Sequence, residues 1–319
     1  MKKILVSRCL YGDKPVRYDG KTKEEKDSRF LKWKEEGRLI PVCPEVDGGL
    51  PVPRPDAQRV GNQVITRNGR DVTKEYRKGA ETALERALQE NVLCAVLKEK
   101  SPSCGSSRIY DGTFEGNLIE GEGITTQMLR AAGIRVYSEE ELEMVEQLVN
   151  GRENIILIGM PACGKSVTGV VLAKSLQMNF LDTDLLIQES AGKGLQNIIN
   201  EDGIEAFKQI EEHVLRRLNV SHTVIATGGS AVYYPHAMEH LKKLGRIVYI
   251  HAHAETILQR LKNITARGVA MSKNQGIEDL YDERRPLYEK YAEIIVESGE
   301  GSMEGTVADI VKKIKELHK

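Results

Sequence analysis

Halfway along the chain, the stretch that decides the fold of its second half is Ile155-Ile156-Leu157-Ile158-Gly159-Met160-Pro161-Ala162-Cys163-Gly164-Lys165-Ser166. Its first four residues predict a buried strand, and the G-x-x-x-x-G-K-[ST] pattern that follows is the phosphate-binding P-loop. The glycines let backbone N–H groups surround phosphate oxygens, and the start of the next helix adds a positive dipole end. Because residues 166–176 have helical spacing, the pattern lies between a strand and a helix, which disfavours a chance glycine loop.

The P-loop predicts a site for ATP and Mg²⁺. Lys165 reaches the β- and γ-phosphates, which gives it a catalytic role, and Ser166 offers its hydroxyl to Mg²⁺. Cys163 occupies a variable position of the loop, where we expect an exposed side chain. The residues that this motif assigns to the nucleotide are Gly159, Cys163, Gly164, Lys165, Ser166 and Val167.

The position of the P-loop also predicts the domain organisation. This motif normally follows the first strand of its fold, so a new domain is expected to begin just before it. Residues 138–149 have the Ser cap, acidic first turn and apolar spacing of a short helix that ends at Asn150-Gly151. A chain of 319 residues suits two domains, and we expect them at 1–150 and 151–319.

Composition excludes several classes of protein. The formal net charge is -1, so no overall basic field points to nucleic acid as a partner. The sequence contains no run of eighteen apolar residues, so no membrane span is predicted. The short apolar stretch after Met1 is interpreted as a first strand, not a signal peptide. Five Cys in a chain without an export signal favour cytoplasmic thiols, metal ligands or catalytic groups. We therefore expect a cytoplasmic protein with small-molecule substrates.

Two further segments of the second half place polar or glycine residues after predicted strands. Asp182 and Asp184 follow a short strand and fit Mg²⁺ and a hydroxylated substrate, although Asp also marks ordinary strand-to-helix turns. The apolar segment that begins at Val224 ends in Gly228 and Gly229, where a ligand can approach the backbone closely; a plain tight turn is an equal alternative.

Downstream segments add arginines to the same half. A helix and the loop after it carry Arg260 and Arg267, and a helix is predicted to open at Glu283 with Arg284 shortly before Pro286.

Together these features resemble the shikimate kinase family across roughly residues 153–319. The resemblance implies a P-loop kinase of the nucleoside-monophosphate-kinase-like fold, in which Asp182 helps to organise Mg²⁺ and Asp184 holds or activates the acceptor hydroxyl. The remaining roles that it implies are acceptor-site lining by Gly228 and Gly229, charge stabilisation by Arg267 in a lid, carboxylate binding by Arg284, and proximity to adenine for Arg260.

This chain departs from the family pattern at the acceptor site. The F-R-x-x-E motif, whose Arg clamps the carboxylate of shikimate in the family, reads Phe207-Lys208-Gln209-Ile210-Glu211 here. Lys208 keeps the positive charge of a substrate-binding residue but loses the two-pronged geometry of Arg. Phosphoryl transfer to a small hydroxylated molecule is therefore expected, with a nucleotide-sensing P-loop domain as the alternative.

In the first half, three cysteines follow three predicted strands. The strands cover residues 3–7, 39–42 and 92–97, and a long amphipathic helix covers residues 74–89. This pattern predicts an α/β domain with a mostly parallel, Rossmann-like sheet, and loops at the carboxyl ends of such strands converge. Cys9, Cys43 and Cys104 lie in these loops, whereas Cys94 lies inside an apolar strand and is expected to be buried.

Three converging thiols suggest a soft metal or an iron–sulfur cluster, against the alternative of unrelated cytosolic thiols. The absence of a C-x-x-C pair argues against a zinc ribbon. Three Cys would leave one iron of a cluster without a protein ligand, and a substrate atom fits such an open position.

Four motifs of this half resemble the thiouracil desulfurase family over roughly residues 1–140. They begin at Cys9, Arg17, Cys43 and Lys100, and read CLxG, RYDG, CPExxGGLPxPR and KSPSCG. The resemblance implies a [4Fe-4S] cluster held by Cys9, Cys43 and Cys104, whose free iron binds the sulfur of a base such as 2-thiouracil.

By the same resemblance, Glu45 and Ser101 are the groups for proton transfer and substrate positioning. Glu45 suits general acid–base work if its surroundings raise its pKa, and Asp19 and Arg54 are alternative substrate-holding residues. The sequence as a whole predicts a bifunctional enzyme with a [4Fe-4S] cluster, ATP and Mg²⁺ as cofactors. The alternative is a kinase whose first domain is a regulatory or binding module.

Overall fold

The computed structural model describes residues 1–262, 276–298 and 303–316, and Arg267 lies outside these ranges. The chain forms two compact units, Met1–Asn150 and Gly151–Lys319. Both are α/β units with parallel central sheets, which confirms the predicted fold class. Within the described ranges, no helix is long and apolar enough to span a bilayer.

The first unit contains eight strands and six α-helices. The strands are β1 (Lys3–Ser7), β2 (Leu39–Val42), β3 (Ala57–Val60), β4 (Gln63–Thr66), β5 (Val92–Leu97), β6 (Arg108–Tyr110), β7 (Leu118–Glu120) and β8 (Val136–Ser138). The helices are α1 (Arg8–Tyr11), α2 (Ser28–Glu35), α3 (Pro44–Asp47), α4 (Thr73–Gln89), α5 (Ile124–Ala131) and α6 (Leu142–Val149), with a 3₁₀ turn at Glu139–Glu141.

The central sheet of this unit has the order β2-β1-β5-β8, with all strands parallel. Ile4 and Val6 of β1 pack with α2 and α6 on one face, whereas Leu5 packs with α4 and α5 on the other. This alternation follows from the two-residue period of a strand, and it produces a three-layer core. Cys94 is completely buried in β5, as predicted.

Two antiparallel hairpins extend from this core. One pairs β3 with β4, and the other pairs β6 with β7. They lie outside the parallel sheet.

The described residues of the second unit form five strands and eight α-helices. The strands are β9 (Asn154–Ile158), β10 (Asn179–Asp182), β11 (Thr223–Ala226), β12 (Gly245–His251) and β13 (Ile294–Glu297). The helices are α7 (Lys165–Leu176), α8 (Thr183–Ala191), α9 (Leu195–Asn197), α10 (Ile204–Arg216), α11 (Pro235–Leu244), α12 (Ala254–Lys262), α13 (Ile277–Tyr291) and α14 (Met303–Glu316). A π turn covers Ile198–Asp202, and a 3₁₀ turn covers Ala231–Tyr233.

The sheet of the second unit has the order β10-β11-β9-β12-β13, and its pairs are all parallel. The P-loop strand β9 lies at the centre and is buried along its whole length. Parallel strands present their carboxyl ends at one edge, so the P-loop, the aspartates after β10 and the glycines after β11 share that edge.

One predicted boundary in this unit is wrong. The Glu283–Tyr288 motif does not open a helix but lies inside α13, which begins at Ile277 and contains Pro286 in its interior. The start is set upstream, where the carboxylate of Asp279 accepts the backbone N–H of Gly276 at 3.0 Å. Proline lacks an N–H, so it removes one hydrogen bond of the helical ladder without ending the helix here.

Candidate active sites

The carboxyl ends of β1, β2 and β5 border a cavity of about 500 Å³. Cys9 lies in α1 directly after β1, Cys43 lies between β2 and α3, and Cys104 lies in the loop after β5. All three line this cavity, together with Glu45 and Ser101. The structure thus brings together the residues that the sequence placed in separate loops.

Close backbone packing fixes the position of Cys43. A Cβ atom on Gly79 of α4 would lie under 3.0 Å from the carbonyl oxygen of Pro44, and one on Gly48 would lie equally close to the carbonyl of Glu75. Only glycine permits this approach of α3 to α4. The backbone N–H of Cys43 also donates to Asp47 Oδ2 at 3.0 Å.

Ser101 holds the turn that carries Cys104. Its hydroxyl oxygen accepts the backbone N–H groups of Ser103 and Cys104, each at 3.1 Å. A Cβ on Gly123 would lie under 3.0 Å from the backbone of Ser103, so the loop is pressed against the start of α5. Ser101 is therefore positioned by the same turn that positions the cysteine.

Glu99 is a structural residue of this site that the sequence analysis missed. Its buried carboxylate accepts the backbone N–H groups of Ser106, Ser107 and Arg108 at 3.0, 3.1 and 2.5 Å. The hydroxyls of both serines also donate to it. Burial alone would raise the pKa of Glu99, but these hydrogen bonds lower it. The sequence contains one signal for this structural role, namely a Glu five residues before Cys104 in a loop that is rich in Ser.

Cys43 and Cys104 are buried and Cys9 is partly buried, and the three thiols are close enough to influence one another. Burial, followed by the charge of Cys43, raises the pKa of Cys9 to about 12. Burial likewise raises the pKa of Cys43 to about 11, and it raises the pKa of Cys104. Deprotonation of such a set requires compensating positive charge, which metal ions supply to thiolate ligands.

The donor set consists of three thiols, which are the ligands that iron–sulfur clusters take. Within the described ranges, no three His, Cys, Asp or Glu side chains converge on a point that a single metal ion would occupy. Each thiolate of a cluster site binds a different iron, so such ligands are spread around the group. Three sulfur donors around one cavity therefore match a cluster with one iron left unliganded by protein.

Glu45 is held at the cavity wall by two partners. Arg54 Nε donates to Glu45 Oε2 at 2.9 Å, and its Nη2 donates to the same oxygen. The Tyr76 hydroxyl also bonds to Glu45, and the pKa of Tyr76 is raised by its burial and then by the Glu45 charge. Arg54 is thus the partner of Glu45, whereas Asp19 pairs with Arg17 at 3.3 Å in an exposed turn.

In the second unit, the P-loop has the backbone conformation that its glycines allow. Gly159 and Gly164 have φ values of +146° and +107°, and Gly164 caps the start of α7. Lys165 Nζ donates to the carbonyl oxygens of Gly159 and Met160, each at 2.8 Å. Ser166 follows in the first turn of α7, while Val167 is about half exposed.

The expectation that Cys163 exposes its side chain is wrong. Cys163 is 0% exposed, and a Cβ on Gly159 would lie 3.0 Å from its sulfur. The backbone N–H of Cys163 donates to the carbonyl oxygen of Met160 at 3.2 Å, and its side chain packs inward.

Asp182 and Asp184 lie at the start of α8. Asp182 Oδ1 accepts the backbone N–H of Asp184 at 3.0 Å and thereby caps the helix. A Cβ on Gly228 would lie 3.2 Å from Asp184 Oδ1 and under 3.0 Å from Glu211 Oε1. Gly228 therefore allows two carboxyl groups to approach the same backbone position.

Glu211 has no role in the sequence analysis, yet it is completely buried beside Asp184. Its Oε2 accepts the hydroxyls of Ser230 at 2.5 Å and Tyr234 at 2.9 Å. Its Oε1 has no hydrogen-bond partner in the described part of the chain. Burial raises the pKa of Glu211 to about 7 against the lowering effect of the two hydroxyls, and the charge of Asp184 adds to the rise.

Arg284 is buried next to the glycine turn. A Cβ on Gly229 would lie 3.1 Å from Arg284 Nη1 and 2.8 Å from Pro161 of the P-loop. Arg284 Nε donates to the Tyr233 hydroxyl at 3.1 Å, and Tyr288 donates to the carbonyl of Gly229 at 2.6 Å. Arg284 and the glycine turn thus adjoin the P-loop.

Two further predicted residues, Lys208 and Arg260, form contacts of their own. Lys208 Nζ pairs with Glu205 Oε1 at 2.8 Å at a partly exposed position of α10. Arg260 Nη1 donates to the carbonyl oxygens of Ala162 and Cys163 and to the Ser298 hydroxyl, each at 3.2 Å. Arg260 therefore ties the P-loop to the end of β13.

Comparison with known proteins gives separate matches for the two halves. The family model for 2-thiouracil desulfurase matches residues 4–141, and the model for shikimate kinase matches residues 161–315. The uncharacterized protein YbbK of Bacillus subtilis is 41% identical over 149 residues, which are 44% of this chain and 97% of that protein. A shikimate kinase of Francisella tularensis subsp. novicida is 35% identical over 166 residues, which are 51% of this chain and 92% of that protein.

Two solved structures show the same division. A [4Fe-4S]-dependent thiouracil desulfidase, TudS, is 49% identical, with 47% of this chain and 99% of that chain covered and a TM-score of 0.46. A shikimate kinase from Acinetobacter baumannii in complex with shikimate is 31% identical, with 52% and 94% covered and a TM-score of 0.49.

Proposed function

Because residues 4–141 belong to the 2-thiouracil desulfurase family and residues 161–315 to the shikimate kinase family, we propose that this chain catalyses two reactions. Both assignments make it an enzyme. The first unit replaces the sulfur of a thiolated pyrimidine such as 2-thiouracil with oxygen from water and releases the sulfur as sulfide. The second transfers a phosphoryl group from ATP to a small hydroxylated molecule.

In the first unit, Cys9, Cys43 and Cys104 hold a [4Fe-4S] cluster. When bound, the cluster would supply an iron without a protein ligand, whose chemistry suits a soft sulfur donor. Glu45 moves a proton at its carboxylate, which Arg54 keeps in one orientation. Ser101 positions the substrate with its hydroxyl proton, because its oxygen already accepts two backbone N–H groups.

The observation that carries this proposal is the single cavity that the three thiols share with Glu45. Its test is anaerobic reconstitution of the full chain, followed by measurement of sulfide released from 2-thiouracil. We expect cluster absorbance and sulfide release in the wild type, and loss of both in Cys43→Ser. A reconstituted protein with no cluster absorbance and no sulfide release would refute the proposal.

In the second unit, ATP binds to the P-loop with Lys165 at its phosphates, while Ser166 and Asp182 would hold Mg²⁺. Asp184 receives the acceptor hydroxyl at the edge lined by Gly228 and Gly229. Arg284 binds a negatively charged group of the acceptor, and Arg267 stabilises charge on the transferred phosphoryl group. Support comes from Gly229, which adjoins both Arg284 and Pro161 of the P-loop.

The acceptor can be identified by ATP turnover. Purified protein is incubated with ATP, Mg²⁺ and a panel that includes shikimate and thiolated pyrimidine nucleosides, and ADP is measured with the phosphorylated product. We expect one acceptor to yield product in a 1:1 ratio with ADP.

Lys208 supports a second candidate, in which the P-loop unit senses nucleotide and phosphorylates nothing. Its ammonium group pairs with Glu205 and lacks the geometry for a two-pronged carboxylate contact. A sensor would bind ATP in a titration yet give no phosphorylated product with any acceptor.

A further inference from the structure

The cavity that holds the three cysteines has an aromatic rim formed by Tyr18 and Phe114, with Arg67 against the Phe114 ring. All three residues line the cavity. The Arg67 guanidinium lies 4.9 Å from the centre of the Phe114 ring. The pKa of Arg67 is raised chiefly by the hydrogen bonds that Arg67 donates to Asp56, and the nearby hydroxyl of Tyr18 adds a smaller effect. The rim belongs to neither the cysteine loops nor the Glu45 pair.

Phe114 has an unusual backbone conformation. Its φ is +64°, in the left-handed region that bulky residues rarely adopt because the side chain crowds the backbone. Such strain persists only where the surrounding structure imposes it, and it is concentrated at functional sites.

The surrounding hydrogen bonds impose this conformation. Gln58 is 6% exposed, and its Oε1 accepts the backbone N–H groups of Gly112 at 3.0 Å and Phe114 at 3.1 Å. Asp111 Oδ1 accepts the backbone N–H of Thr113 at 2.9 Å, and Asn117 donates to Asp111 Oδ2 at 3.2 Å. The loop between β6 and β7 is therefore fixed, and Phe114 is presented to the cavity in one orientation.

Arg67 is fixed as well. Its Nε donates to Asp56 Oδ1 at 2.9 Å and its Nη2 to Asp56 Oδ2 at 2.8 Å, so the guanidinium covers one face of the Phe114 ring. A planar ligand must then use the opposite face or the edge of that ring. Aromatic rings held rigidly in this way bind flat heterocycles with little loss of side-chain entropy.

We infer that Phe114 is the residue that positions the substrate ring in the desulfurase cavity, by stacking or edge contact with the heterocycle. This inference rests on the proposed function of the cavity and extends it to a residue outside the four family motifs. The ligand of this cavity is then a flat heteroaromatic ring, which contacts the rim while its sulfur points towards the cysteines.

The test measures ring binding directly, by calorimetric titration of anaerobically reconstituted full-length protein with 2-thiouracil and with uracil. Phe114→Gly removes the ring and also relieves the positive-φ strain, so its melting temperature should not fall. We expect this variant to bind both rings about tenfold more weakly, in line with the effect of one stacking contact. Phe114→Trp should retain affinity, and Glu115→Ala in the same loop is the matched control.

Unchanged affinity in Phe114→Gly overturns the inference, as does a Phe114→Trp variant that binds as weakly as Phe114→Gly. Absence of binding by the wild type also overturns it. Wild-type protein that binds 2-thiouracil through Phe114 but releases no sulfide supports the inference and refutes the proposed desulfuration, so the two failures are distinguishable.

Discussion

Single carboxyl groups in this molecule differ sharply in what surrounds them. Glu45 is held by a guanidinium and a tyrosine, Glu99 accepts five hydrogen bonds, and Glu211 has one oxygen without a partner in the described ranges. Each environment leads to a different expected response to mutation.

Glu211 should make the stability of the second unit depend on pH. Its pKa is raised to about 7 in the folded state, so the protonated form is favoured. The resulting stabilisation is complete below its unfolded pKa and is lost as pH rises through about 7. The difference is about 3 kcal/mol of unfolding free energy.

Denaturant unfolding of wild type and Glu211→Gln at pH 5 and pH 8 measures this effect. Gln resembles the protonated carboxyl, so the variant should lose most of the pH dependence. Glu212→Gln, on the adjacent position of α10, is the control and should behave as the wild type does. Equal pH dependence in wild type and Glu211→Gln would contradict the assignment.

Glu45→Gln should lower sulfide release about 100-fold, because a positioned general acid or base typically contributes that much or more. Gln preserves the size of the side chain, so cluster absorbance should be retained. The measurement is sulfide release per cluster, with Glu75→Gln in neighbouring α4 as control. An unaffected rate would remove Glu45 from the proton-transfer role.

Among the elements, the contact between α3 and α4 is the most sensitive to added atoms. Gly79→Ala raises intrinsic helix propensity by about 1 kcal/mol, yet its methyl group would overlap the carbonyl of Pro44. We expect net destabilisation of about 2 kcal/mol, since overpacked sites force backbone shifts.

Urea unfolding and cluster absorbance measure this effect together. Because Cys43 immediately precedes α3, Gly79→Ala should also reduce cluster incorporation. Lys78→Ala, at an exposed position of the same helix, is the control. Stability that rises in Gly79→Ala, as propensity alone predicts, would show that α3 moves away freely.

The elements also show how far the sequence could be interpreted. The strands β1, β2, β5 and β9 were predicted correctly, because each is a short run of apolar residues bounded by loop residues and can be recognised from its own sequence. The start of α13 was predicted at Glu283 instead of Ile277, because the hydrogen bond between Gly276 and Asp279 at the true start was not recognised in the sequence. The isolation of Glu211 and the strain at Phe114 depend on contacts between distant segments, which no local pattern encodes.

At the scale of the whole molecule, the two units have separate cores and separate sites. Cys104→Ser should abolish sulfide release while leaving ATP turnover within about twofold of wild type, and Lys165→Ala should do the reverse, because independent sites respond additively. Both rates are measured on the same preparations. Loss of ATP turnover in Cys104→Ser would instead favour a first unit that regulates the kinase.

Each unit also carries one completely buried thiol, Cys94 in the first and Cys163 in the second. A shielded thiol reacts with an alkylating reagent only when its surroundings open, so its labelling rate reports the opening free energy of that region. Peptide mapping after timed labelling would therefore follow each unit separately, in a protein that carries no substitution. The labelling rates of Cys94 and Cys163 therefore report the opening of the first and the second unit, respectively.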